Sequence, residues 1–263
     1  MERITSLKNP RIKQIAQLSK ARERQKLGLI AMEGAREIGL AIDAGYQIDT
    51  LYLCPEIYAN SEYPDLIHRI PSQKVIEIAP SVFEKLAYRE GSDGLFAIIR
   101  PKNHDLSSII LPPNPFIIVL EAVEKPGNLG AVLRTADAGK VDAVIICDPL
   151  TDIYNPNAIR SSIGCIFTVP IGICTSMEAL QWMKANKIKS FAAELKASNW
   201  YHECDFKVPS AIIMGTEADG LTDFWLNKAD SRIKIPMRGK IDSLNVSVST
   251  AILTFEAMRQ RGF

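Results

Sequence analysis

Five short apolar runs in the second half of the chain, at residues 116–120, 143–147, 190–193, 211–215 and 231–235, set the strongest constraint on its fold. Each is too short to make a helix. All but the last carry apolar side chains at consecutive positions, the mark of strands buried on both faces. Helical patterns fall between the runs, at 129–138, 176–186 and 221–227, and a long one closes the chain from about 246 to 261. The pattern predicts an α/β fold with a buried parallel sheet.

The first hundred residues alternate too. Asn9-Pro10 reads as a helix cap and first position, Ile12, Ile15 and Leu18 recur at helical spacing, and Gly28 ends that pattern. Strands are expected at 28–34, 48–54, 74–78 and 95–99, and helices at 35–44 and from Ser81 to about Tyr88. Ser81 with Glu84 fits a capping box for the latter. Pro101, Pro112, Pro113 and Pro115 punctuate the next segment. The 263 residues therefore divide into a small α/β domain (1–100), a linker (101–115) and a larger α/β domain (116–263).

With 31 basic and 30 acidic side chains, whole-chain charge announces no polyanionic partner. Its distribution is uneven. Arg3, Lys8, Arg11, Lys13, Lys20, Arg22, Arg24 and Lys26 crowd the N-terminus against only Glu2 and Glu23. This is either a solvated helix face or a phosphate-contacting surface, which Arg89 and Arg100 would extend. Cys54, Cys147, Cys165, Cys174 and Cys204 show no CxxC spacing, and His68, His104 and His202 are scattered. Free thiols are expected and no metal site. Met1 is followed by charged and polar residues, and no run approaches the ~20 apolar residues of a membrane span. A cytoplasmic protein with no membrane association is expected.

Three stretches join glycine-made backbone exposure to a few polar side chains. In EKPGNLGAVLRTADAG, a turn at Gly127–Gly130 feeds a helix that carries Arg134 nearly two turns in. It suits phosphate or carboxylate binding, yet it is neither a Walker loop nor GxGxxG. Asn128 could be only a cap, and Arg134 only a surface ion pair. In IIMGTEADGL, Gly215 ends a strand so that a ligand can approach the backbone, Glu217 follows, and Gly220 permits a sharp entry into the next helix. In IKIPMRGKIDSLNVSVSTAILTFEAM, a polar loop separates Ile235-Pro236-Met237 from the last helix. Ser243 or Asn245 could be only its N-cap, but with Ser247 and Ser249 they crowd polar groups at the mouth of an apolar helix. Exposed backbone at Ile235 and Leu244 would complete a pocket for a flat ligand with a polar sugar.

The order and spacing of NLGAVLRTA, MGTEADGL and IPMRGKIDSLNVSVSTAILTFEA resemble the three signature motifs of the SpoU (TrmH-type) RNA ribose 2′-O-methyltransferases of the SPOUT superfamily. NPNAIRSSIGCIFTVPI resembles the segment between the first two, and LIAMEGAREIGLAI with GLFAIIRP resembles the family's accessory substrate-binding domain.

The resemblance implies a catalytic domain with a deep trefoil knot, although general topology rules argue against knots. It implies an N-terminal domain similar to ribosomal proteins that bind kinked RNA. It also implies a homodimer joined partly through the last helix, and methyl transfer from S-adenosylmethionine to a ribose 2′-hydroxyl of structured RNA. Ribosomal RNA is preferred to transfer RNA. Asn128, Arg134, Glu217, Ser243 and Asn245 become the catalytic set, with Gly215, Ile235, Met237 and Leu244 lining the cofactor pocket. Asn128 and Glu217 would orient Arg134, which would contact the target nucleotide. A guanidinium is an awkward base. Either a bound phosphate takes the proton while Arg134 orients the hydroxyl, or Arg134 stabilises the developing oxyanion. Lys8, Arg11, Lys13, Arg22, Arg24 and Arg160 are candidate RNA contacts. The rivals are a non-enzymatic RNA-binding or ribosome-assembly protein that keeps the fold, and a nucleotide-binding α/β enzyme using Gly127–Gly130.

Overall fold

A computed structural model describes every residue except Met1, Arg89, Glu90, Ser198 and Phe263, so the expectation for Arg89 lies outside the described residues. The chain forms two compact units. One holds Met1–Lys102 and Tyr154–Thr168, the other Asn103–Ile153 and Val169–Phe263.

The first unit begins with β1 (Arg3–Ile4), α1 (Pro10–Gln17), α2 (Ala21–Leu27), β2 (Ile30–Glu33), α3 (Ala35–Asp43) and β3 (Ile48–Leu53). It continues with α4 (Pro55–Tyr58), β4 (Val75–Ile78), α5 (Pro80–Leu86) and β5 (Leu95–Ile99). Its sheet runs β1-β4-β3-β5-β2, with β5 antiparallel to both β3 and β2 and the other pairs parallel. Ile12, Ile15 and Leu18 pack with Val82, Phe83 and Leu86 against Ile76, Ile78, Phe96 and Ile98 of the sheet.

Two local expectations are corrected here. The pattern from Ile12 to Gly28 is two helices, not one. Arg24, only 5% exposed, donates from Nη1 to the carbonyls of Leu18 and Ser19 (2.7 and 2.9 Å), satisfying the end of α1, and Gly28 then closes α2 with φ +60°. The Ser81–Glu84 capping box does not form. Pro80 disfavours helical geometry at Ala79, which becomes the N-cap, so Ser81 lies inside the first turn.

The second unit opens with β6 (Phe116–Glu121), α6 (Pro126–Ala138) and β7 (Ala143–Cys147). The chain then supplies α7 (Pro156–Ser161) and α8 (Cys165–Thr168) to the first unit, where a Cβ on Gly164 would crowd Leu40 and the backbone of Glu37. The second unit resumes with β8 (Ile171–Cys174), α9 (Ser176–Ala185), β9 (Lys189–Ala193), β10 (Asn199–Trp200) and β11 (Ser210–Met214). It ends with α10 (Asp223–Lys228), β12 (Ser231–Lys234) and α11 (Val246–Arg261). Its sheet, β10-β12-β9-β11-β6-β7-β8, is parallel throughout. β6, β7 and β11 are buried at every position, which is why they read as unbroken apolar runs. Leu106, Ile109 and Leu111 pack against this unit's core, and Ile173 N–H donates to the His104 carbonyl (2.8 Å), tying residues 104–111 to the β8 edge.

From β6 the strand order runs outward through β7 and β8, then resumes on the other side with β9 and β11. The reversal leaves a crevice at the carboxyl ends of β6 and β11, where α/β sheets place their ligands.

Candidate active site at the strand ends

α6 starts three residues before the predicted position, at Pro126, with Lys125 as N-cap. Gly127 and Asn128 are therefore in the first helical turn, not in a turn preceding it, and Asn128 does not cap the helix. Its amide is free to face the crevice. Beyond β11, Thr216 and Gly220 exchange backbone hydrogen bonds (2.9 and 3.2 Å) and close a tight loop over residues 216–220. A Cβ on Gly215 would collide with the Gly220 carbonyl and the Leu221 nitrogen. What approaches Gly215 most closely is thus the loop's own backbone, where the sequence suggested a ligand. Gly220 takes φ +72°, the left-handed turn that sends the chain toward α10.

Asn245 is the N-cap of α11. Its Oδ1 accepts from Ser247 N–H (2.9 Å) and Ser247 Oγ (2.7 Å). Its Nδ2 donates to Glu217 Oε1 (2.9 Å) and Asn128 Oδ1 (3.2 Å), and Asn128 Nδ2 makes a long contact to Glu217 Oε2 (3.5 Å). Lys125 Nζ forms an ion pair with Glu217 Oε2. The Lys125 ammonium, then the Asn245 amide, hold the Glu217 carboxyl below its ordinary value of 4.5. The cap and cluster roles weighed as alternatives for Asn245 are both present, on opposite ends of one amide.

Arg134 and Ser243 do not join this cluster. Arg134 is exposed and makes no hydrogen bond or ion pair with any described residue. Six residues on a helix turn about 600°, leaving Asn128 and Arg134 roughly 120° apart around the axis. Glu217 and Asn128 therefore do not hold the Arg134 side chain. Ser243 Oγ donates to Asp242 Oδ1 (3.0 Å).

Beside the cluster lies a cleft of about 460 Å³, within the range of small-molecule sites. Gly215, Ile235, Met237 and Leu244 all line it, with Glu217 and Ser243. Its wall is mixed: Met214, Leu226 and Leu253 give apolar surface, and Glu194 gives a buried oxygen, Oε2, that accepts no hydrogen bond. Those features suit a nucleoside-bearing cofactor such as S-adenosylmethionine, which has a flat ring and hydroxyl donors.

The sequence reading missed Lys125, although it adjoins Pro126 in the first motif. It also missed Glu121, a buried carboxylate at the end of β6 that accepts from Thr222 N–H (2.9 Å) and Oγ1 (2.6 Å) and so anchors the start of α10. Among the basic candidates, Lys8, Lys13, Arg22 and Arg160 are exposed or partly so, and Arg11 pairs with Glu2 (2.7 Å). Arg24 is committed to the α1 carbonyls. Among the described residues no group of three or more potential metal ligands occurs, and no helix is long and apolar enough to cross a membrane.

An α/β unit with a parallel sheet, carrying a mixed cleft and a polar cluster at its switch point, defines the class of α/β proteins that bind small molecules at their strand ends, not one activity. Comparison with known proteins narrows it. Residues 115–255 match the SpoU rRNA Methylase family, and residues 9–97 match the MRM3-like substrate binding domain. The chain belongs to the SpoU rRNA methylase family. It is 27% identical to the 23S rRNA (uridine(2479)-2′-O)-methyltransferase of Streptomyces viridochromogenes, over 98% of this chain and 92% of that one. A crystal structure of an RNA 2′-O ribose methyltransferase superposes with a TM-score of 0.86 at 37% identity, covering 98% of this chain and 99% of the other. The AdoMet-bound rRNA methyltransferase of Sinorhizobium meliloti gives 0.88 at 28% identity, covering 98% and 97%.

Proposed function

We propose that this protein transfers a methyl group from S-adenosylmethionine to a ribose 2′-hydroxyl of ribosomal RNA. One observation carries the reading. Asn128, Glu217 and Asn245 come from three motifs, the outer two 117 residues apart, and meet in one hydrogen-bonded cluster beside the cleft lined by Gly215, Ile235, Met237 and Leu244. Ribosomal RNA is preferred to transfer RNA because the relatives that match the chain end to end include enzymes named for 23S rRNA.

When bound, S-adenosylmethionine supplies an electrophilic methyl on a positively charged sulfur. The cleft holds its nucleoside, and the loop closed by Gly215 and Gly220 forms one wall. Glu217, kept anionic by Lys125 and Asn245, fixes the mouth of the cleft as a rigid polar edge on which the acceptor ribose rests, with Ser243 beside it. Arg134, unpaired among the described residues, is available to an RNA phosphate. A guanidinium is too weak an acid to serve as a base, so Arg134 orients the hydroxyl or stabilises the oxyanion while a phosphate oxygen takes the proton. Lys8, Arg11, Lys13, Arg22 and Arg160 supply phosphate contacts from the first unit, without Arg24.

The same reading includes a trefoil knot in the second unit, a homodimer and a cytoplasmic location. The knot is supported by the full-length likeness to a SpoU methyltransferase structure and by the loop after β12, which shares the cleft with the loop after β11. The dimer is supported by Val248 and Phe255, 47% and 42% exposed and two turns apart on α11. The kinked-RNA role of the first unit is supported by the substrate-binding-domain match. The deciding experiment maps ribose methylation in ribosomal and transfer RNA from cells with and without the protein, and repeats the transfer with purified protein and S-adenosylmethionine. A ribosomal 2′-O-methyl mark that disappears with the protein and returns in vitro supports the reading. An unchanged methylation map overturns it.

A further inference from the structure

Glu194 lies just past the end of β9, in the wall of the cleft. Its side chain is 18% exposed, and its Oε2 is buried without accepting any hydrogen bond. The nearest cation, Arg232 on β12, approaches to 3.5 Å with a side chain 53% exposed, outside good hydrogen-bonding distance. A buried carboxylate oxygen in this condition needs a donor that the folded chain does not supply. The residue itself is well placed, since the Glu194 N–H donates to the Ile233 carbonyl (2.9 Å) and the Ala197 N–H donates to the Glu194 carbonyl (3.3 Å). Its backbone is held on both sides while its carboxylate stands at the cleft.

Position in the sheet says which part of a ligand could supply the donor. The reacting cluster forms over the ends of β6 and β11, and β9 is the strand beyond β11. One strand spacing separates β9 from β11 and two separate it from β6, which puts Glu194 roughly 5–10 Å along the sheet from that cluster. A ligand with its reactive group at the cluster thus presents its nucleoside end to Glu194. The donors there are the ribose hydroxyls and the exocyclic amine. A vicinal diol matches both carboxylate oxygens, and an acidic side chain at the end of a parallel strand takes a ribose diol in dinucleotide sites for the same reason.

We infer that Glu194 is a cofactor-binding residue that accepts hydrogen bonds from the ribose hydroxyls of the adenosine moiety and selects for an intact diol. The inference rests on the cleft being the S-adenosylmethionine site. It gives the long, half-exposed Arg232 contact no part in binding the diol.

The test is calorimetric binding of S-adenosylhomocysteine, its 2′,3′-dideoxy analogue and its N6-dimethyl analogue to the wild type, Glu194→Ala, Glu194→Gln and Arg232→Gln. Apo melting temperatures are recorded alongside. The wild type is expected to bind S-adenosylhomocysteine and to lose on the order of tenfold in affinity for the dideoxy analogue. Glu194→Ala is expected to lose a similar factor for S-adenosylhomocysteine and none further for the dideoxy analogue, with Glu194→Gln intermediate and Arg232→Gln close to wild type. Failure of the wild type to bind S-adenosylhomocysteine overturns the cofactor cleft itself. Wild-type binding with no loss in Glu194→Ala overturns only the role of Glu194, and a shared fall in melting temperature for Glu194→Ala and Arg232→Gln would then leave it a structural ion pair. Loss of coupling to the N6-dimethyl analogue instead of the dideoxy one overturns the diol assignment.

Discussion

Replacing Asn245 separates two roles that one amide performs. Its Oδ1 caps a 16-residue helix through Ser247 N–H, and its Nδ2 holds Glu217 and Asn128. Asn245→Ala removes both. Loss of a side-chain N-cap costs about 1 kcal/mol, within a range of roughly 0.5–2. For a folding unit of about 150–250 residues that lowers the melting temperature by roughly 2–4 °C. Asn245→Ser keeps a capping oxygen of nearly equal quality and removes only the donor to Glu217. It is expected to melt within about 1 °C of wild type. Glu217 is then left with Lys125 and the 3.5 Å contact to Asn128, so the rigid edge of the cleft loosens. Single-turnover methyl transfer to unmodified ribosomal RNA is expected to fall on the order of ten- to a hundredfold in both variants, as when a positioning contact is lost. S-adenosylmethionine binding, made farther along the cleft, stays within about threefold. The reasoning fails if Asn245→Ser transfers methyl at the wild-type rate, or if Asn245→Ala melts with the wild type.

Four further outcomes are expected. Arg134→Ala abolishes transfer and leaves calorimetric S-adenosylmethionine binding nearly unchanged; an equal loss of binding would mean that Arg134 builds the cleft. Gly215→Ala forces a Cβ into the Gly220 backbone, so about 1–3 kcal/mol of stability in chemical unfolding and most of the cofactor affinity should be lost together. Arg24→Met leaves the Leu18 and Ser19 carbonyls short of a donor and should destabilise the protein by roughly 1.5–3 kcal/mol, while filter-binding affinity for ribosomal RNA changes less than for Arg22→Met. The Glu217 carboxyl is held below 4.5, so whatever its anion contributes is present above that value and lost only as pH falls through the lower folded value. Transfer should therefore show no Glu217-dependent limb between pH 6 and 8, and a limb in that window that vanishes in Glu217→Gln would contradict the assignment.

The sheet of the second unit was legible because burial on both faces writes a strand as consecutive apolar residues, and β6, β7 and β11 are buried throughout. β1 and β10 escaped because two residues carry no period, and β8 because Pro170 and Gly172 break its run. The start of α6 was misplaced for a different reason. Gly127, Asn128 and Gly130 are poor helix formers, and packing of α6 against α11 overrides that preference. The two S/T-x-x-E patterns show how one neighbour decides the outcome. Thr175 and Glu178 form a full capping box, whereas Ser81 and Glu84 do not because Pro80 moves the N-cap two residues earlier, to Ala79.

The site was legible in its parts and not in its wiring. Gly215, Ile235, Met237 and Leu244 do share one cleft, and Asn128, Glu217 and Asn245 do meet. The Lys125–Glu217 pair spans 92 residues, a separation at which no local pattern operates, and it takes the partner that the sequence reading had given to Arg134. That exchange has a chemical consequence. A carboxylate already paired with a lysine and hydrogen-bonded by two amides does not hold the exposed arginine, which leaves Arg134 without a partner among the described residues. On the proposed function two roles divide along α6, with its first turn at the cofactor edge and its exposed middle toward the nucleic acid. Lys125→Ala tests that division. With the lysine gone, Glu217 becomes an unbalanced anion near the RNA path, so RNA affinity and its salt dependence should both fall while cofactor affinity holds. Unchanged RNA binding in Lys125→Ala would mean that Arg134 and Glu217 do not divide the charge in this way.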